Sequence, residues 1–156
     1  MSITPYFFLE KRQKDNSWHR LSPMISENGH MVRADLFPFN VCHDMFDILY
    51  NRGDCPIMDG IHAYPDDISE EVKNEFGEEL CGEGKKYVRY FNYAALVIYL
   101  LKHPTVPIFN ENTGKTETAK NPLTFLDERI KSFLMVCDAW DWKDNITDYR
   151  VIFWLD

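Results

Sequence analysis

Apolar and polar residues alternate along this chain with two different periods, and each change of period marks an element. Tyr6 to Arg12 and Trp18 to Leu21 are aromatic-rich runs split by the polar break Gln13-Lys14-Asp15-Asn16-Ser17, which predicts a β-hairpin. Pro23 to Gly29 reads as a loop. Val32 to Phe39 has room for a short extended piece, and Pro38, lacking an N–H, keeps it off a central strand position. From Asn40 the spacing becomes helical. Val41, Met45, Ile48 and Leu49 share one face, Asn40 is a good N-cap and Gly53 a good stop. Gly53 to Gly60 is a turn-rich connector leading to Ile61–Pro65.

A second short helix is expected from about Ser69 to Phe76, because Asp67 followed by Glu70 has capping-box spacing. Gly77 to Lys86 is a loop and Tyr87 to Phe91 a strand. Asn92 then caps an apolar helix from Tyr93 to about Lys102, which Pro104 ends. Asn112-Thr113-Gly114-Lys115 is a hairpin turn between Val106–Asn110 and Thr116–Thr118. Asn121-Pro122 opens the longest helix with proline at the favoured first position. Its positions Leu123, Leu126, Ile130, Phe133, Leu134 and Cys137 form a buried stripe. Tyr149 to Leu155 is a strand with apolar residues on both faces, which predicts a covered place in a sheet. Strands cluster at the two ends with helices mostly between them. The expectation is one α+β domain over residues 1–156, a mixed, mostly antiparallel sheet packed with three to four helices.

Composition adds to this picture in two ways. With 156 residues the chain can bury roughly 70% of its unfolded surface, so it needs neither disulfide nor metal to fold. Its 11 Phe, 8 Tyr and 4 Trp supply large rings for a core built from few elements. The N-terminal residues lack a basic stretch and Glu10 breaks the apolar run, so no signal peptide is expected. The longest apolar run, Tyr93 to Leu101, is far short of the roughly 20 residues a membrane span needs. A cytoplasmic protein with free thiols at Cys42, Cys55, Cys81 and Cys137 is the expectation.

Charge is distributed unevenly. Between Asp54 and Glu79 nine acids face one base, Lys73, while the rest of the chain balances at 16 acids and 16 bases. Such a field repels phosphate backbones and attracts cations, so direct nucleic-acid binding is not expected and a basic protein partner is. The candidate partner-binding face is Asp59, Asp66, Asp67, Glu70, Glu71 and Glu75.

Motifs for bond-making chemistry are absent or incomplete. Asn112-Thr113-Gly114-Lys115-Thr116 has the end of a P-loop, but Phe109 stands where its first glycine belongs. Gly82-Glu83-Gly84 lacks the third glycine of a dinucleotide fingerprint and precedes a strand. The cysteines show no CxxC pair for structural zinc, and there is no GxSxG. The best set for chemistry is Asp59, His62, Asp66 and Asp67, one imidazole and three carboxylates within nine residues. Such a loop could hold a divalent cation and activate water, though without HxD, HExxH or EF-hand spacing.

Several segments, in order, resemble a family of small phage and prophage proteins without assigned activity. They are Phe7-Phe8-Leu9-Glu10-Lys11-Arg12 with Trp18; Met45-Phe46-Asp47-Ile48-Leu49 with Arg52; Pro56-Ile57; Pro65-Asp66-Asp67-Ile68-Ser69-Glu70-Glu71-Val72-Lys73; and Tyr149-Arg150-Val151-Ile152-Phe153-Trp154-Leu155-Asp156. The resemblance implies a phage or prophage gene product in the host cytoplasm, with no cofactor, and lends no catalytic residues. Together with the charge pattern it points to a non-enzymatic accessory protein that binds a host protein, in one form a counter-defence inhibitor acting through its acidic face. Two alternatives stand beside it. One is a metal-dependent hydrolase built on Asp59, His62 and Asp66. The other is a small-molecule sponge, whose signature would be an apolar pocket with convergent polar groups.

Overall fold

The computed structural model describes residues 5–22, 24–33, 45, 48–49, 65–76, 88–137 and 143–155. The first strand, β1 (Pro5–Arg12), turns through the break at Gln13–Ser17 into β2 (Trp18–Arg20). Asp15 fixes this turn by accepting from the Ser17 amide at 2.9 Å and from its hydroxyl at 2.5 Å. Those two bonds hold the Asp15 carboxyl below the usual carboxylate range. Asn16 takes a φ of +68°, a left-handed conformation that asparagine tolerates well.

A second hairpin joins β3 (Met24–Glu27) to β4 (His30–Arg33). Residues 24–27 were expected to be loop. Asn28 and Gly29 both lie at positive φ, 51° and 79°, the geometry of a two-residue turn that matches strand twist. The Asn-Gly pair makes a hairpin turn of the segment that was expected to be loop.

The short helix α1 (Glu70–Phe76) precedes β5 (Arg89–Asn92), which runs directly into α2 (Tyr93–Lys102). Asn92 caps α2 as expected, its side chain accepting from the Ala94 amide at 2.8 Å. The hairpin β6 (Thr105–Asn110) and β7 (Lys115–Lys120) closes with Gly114 at φ +67°. Asn121 accepts from the Leu123 amide at 3.0 Å and so starts α3 (Leu123–Val136), with Pro122 in helical conformation behind it. A 3₁₀ turn (Ile146–Asp148) leads into β8 (Tyr149–Leu155).

The main sheet has the order β2-β1-β8-β5, and every pairing among the described strands is antiparallel. Helices and antiparallel sheet together make the class α+β. β8 sits between β1 and β5, the covered position its two apolar faces predict. The period of two divides its side chains between two cores. Tyr149, Val151 and Phe153 join Phe7, Leu9 and Phe91 beneath α2 and α3, whose Leu96, Leu123, Leu126, Ile130 and Leu134 are fully buried. Met45, Ile48 and Leu49 belong to the same core, and Met45 lies in a helical turn. Ile152 points the other way, with Phe8, Val72 and Val88, under α1. Phe7 stacks on Phe153 with ring centroids 5.3 Å apart, and Phe91 tilts against it at 5.7 Å.

The expected helix cap at Asn40, its stop at Gly53, the connector at 53–64 and the loop at 77–86 lie outside the described residues. Among the described residues no helix is long and apolar enough to cross a membrane.

Candidate functional site

The acidic segment is built on the face of the sheet that carries Glu10 and Arg150. Asp59, along with His62 of the candidate metal set, lies outside the described residues. The other five acids are described, and three of them meet a basic side chain. Asp67 accepts from Arg150 at 2.7 Å, Glu71 meets His19 at 3.2 Å, and Glu75 accepts from Arg20 at 3.0 Å. Asp66 and Glu70 are exposed. The Glu71 carboxyl is held below its usual range, first by its own backbone N–H and further by His19. β2 thus lays two bases along α1, and the local field is weaker than the linear charge count implies.

Asp67 was expected to cap α1, but its carboxylate turns to the Arg150 guanidinium instead. Ser69 takes the capping role, its hydroxyl accepting from the Val72 amide at 3.2 Å. The Ser69 amide in turn donates to Glu10 at 2.8 Å. Glu10 is fully buried and accepts from Arg150 Nε at 2.6 Å. The Arg150 guanidinium lies 4.0 Å from the centre of the Trp18 ring, so its apolar face is also covered. Arg150 thus ties Glu10 to Asp67, and Glu10 ties Arg150 to Ser69, so the network forms a structural clasp.

The described residues contain no group of three or more His, Cys, Asp or Glu placed to hold a metal ion. Cys137, the one cysteine among them, is a half-buried free thiol. Burial pushes its pKa up to about 11, which opposes a nucleophilic role.

An open pocket lies on the opposite side of the sheet, against α2 and α3. Its volume is about 470 Å³, within the common range of small-ligand sites. Val97, Leu100, Leu101, Pro104 and Ile146 form apolar walls, and Lys120, Lys131 and Lys143 also line it. Tyr93 closes the floor, with no exposed surface of its own. Its hydroxyl donates to Asp127 Oδ1 at 2.6 Å, and Lys131 Nζ meets Asp127 Oδ2 at 2.8 Å. Burial first, and the Asp127 carboxylate second, drive the Tyr93 phenol pKa far upward, so it stays a donor at any physiological pH.

None of these lining residues was singled out from sequence. One signal was present: Asp127 falls within the buried stripe of α3, four residues before Lys131, where a structural helix would place an apolar side chain. Comparisons with protein-family models, with curated proteins and with solved structures find no match to this chain.

Proposed function

We propose that this chain is a phage or prophage accessory protein of the host cytoplasm, a single domain that acts by binding and not by catalysis, and that its ligand is a small molecule seated between α2 and α3. The pocket carries this reading. It combines apolar walls with a few convergent polar groups, the usual composition of a small-ligand site. Docking of a basic host protein on the acidic segment draws less support, since three of its five described acids already face a base.

Native mass spectrometry of the full chain, purified gently from its host, tests the proposal. A bound small molecule is expected, and Leu100→Trp, which fills the pocket, should lose it. Leu101→Trp, at a wall position 78% open to solvent, should also lose it while leaving the core alone. If the chain carries no small molecule and a metabolite library never raises its melting temperature, the proposal fails.

A further inference from the structure

We infer that the pocket takes an amphipathic anion, an aliphatic or flat apolar body ending in a carboxylate or phosphate. This rests on the small-molecule reading above and specifies the chemistry of its ligand.

The apolar half of the argument comes from the walls. Val97, Leu100 and Leu101 are successive faces of the last turns of α2, and Pro104 and Ile146 continue the same surface. None of the five offers a side-chain hydrogen bond, so a polar body would lose its hydration without replacement. The volume of about 470 Å³ corresponds to roughly fifteen waters, room for a ligand of modest size.

The charged half comes from the lysines. Three lysines line the pocket against one carboxylate, Asp127, and one of the three, Lys131, is paired with it. That carboxylate is committed inward. Both its oxygens are taken, by Tyr93 and Lys131, and its side chain is only 10% exposed. It therefore balances the floor and projects little negative charge toward a ligand. Lys120 approaches Glu128 at 3.5 Å, but both side chains are more than half exposed, and such pairs are worth little in water. A ligand anion competes with them readily. Lys120 Nζ also lies 5.2 Å from the centre of the Phe125 ring.

Lysines are compact point charges without the fixed fork of arginine. The site should therefore select charge ahead of head-group shape, and carboxylate and phosphate should both enter.

Calorimetric titration of the full chain with octanoate, octyl phosphate, octanol and octylamine tests this. The two anions are expected to bind at least tenfold more tightly than octanol, with octyl phosphate the tighter, and affinity should fall as salt rises. Octylamine should bind most weakly. Lys120→Gln combined with Lys143→Gln should weaken the anions about tenfold and leave octanol unchanged. Leu101→Glu, at an exposed position that does not threaten folding, should exclude the anions in particular. Octanol or octylamine binding as tightly as octanoate overturns the anionic head group while leaving a small-molecule pocket in place. No heat with any of the four overturns both readings.

Discussion

Glu10 and Arg150 are direct partners across β1 and β8, and their side chains meet at 2.6 Å with almost no exposure to solvent. The pair favours the observed register of the two strands, since a slip by one residue would set Glu10 against Tyr149 or Val151 and Arg150 against Leu9 or Lys11. Removing one member should be far worse than removing both. Glu10→Ala leaves Arg150 Nε and the Ser69 amide without their buried acceptor and should cost about 3–5 kcal/mol in urea unfolding. The double variant Glu10→Leu with Arg150→Met should recover most of that loss. Equal destabilisation by the single and double variants would show that the pair contributes packing and not charge.

The capping role of Ser69 has a simple test. Ser69→Ala removes the hydroxyl that accepts from Val72 and should cost about 1 kcal/mol. That corresponds to a melting temperature about 2–4 °C lower. Ser69→Gly should cost only a few tenths of that energy through the cap. A Ser69→Ala protein as stable as the parent would return the cap to Asp67.

Tyr93 ties α2 to α3 through Asp127, and its loss should be visible in both stability and pH response. Tyr93→Phe leaves Asp127 Oδ1 without its 2.6 Å donor and should cost about 1.5–3 kcal/mol, the range for bonds to charged groups. The native fold holds the phenol protonated, so this contribution is complete below the ordinary phenol value of about 10. Above it the unfolded chain ionises first, and stability falls as pH rises. Urea midpoints at pH 8 and pH 10.5 should therefore show a narrower gap between the parent and Tyr93→Phe at the higher pH.

Cys137 should be a slow thiol. With its pKa raised to about 11 by burial, its thiolate fraction at pH 8 is about a hundredfold below that of a free cysteine. Peptide-resolved mass spectrometry after brief iodoacetamide treatment should find Cys137 largely unmodified, and rapid labelling there would contradict the packing of the α3 C-terminus.

Much of the fold was legible because local patterns agreed with the tertiary outcome. Asn92 and Asn121-Pro122 announced their helices, and Val151, Ile152 and Phe153 announced a strand covered on both sides. The β3–β4 hairpin was legible in principle, since Asn28-Gly29 between Met24-Ile25 and Met31-Val32 is a strong two-residue turn signal, but the stretch from Pro23 to Gly29 read as loop. Asp67 was misread because two roles share one sequence signature. An aspartate before a helix looks like a cap until an arginine 83 positions away claims it. The pocket is a different case. Its lysines come from β7, α3 and the segment before the 3₁₀ turn, and no local spacing encodes their meeting.

The inner strand β8 is also the last of the sheet's four to leave the ribosome. Until residues 149–155 have been synthesised, β1 and β5 share no neighbour, and the rings of Phe7 and Phe91 have no Phe153 to pack against. A nascent chain stopped short of Tyr149 would thus expose sticky, protease-sensitive apolar surface, however complete its helices. Closure of the sheet joins residues more than a hundred positions apart, so it should set the tempo of folding.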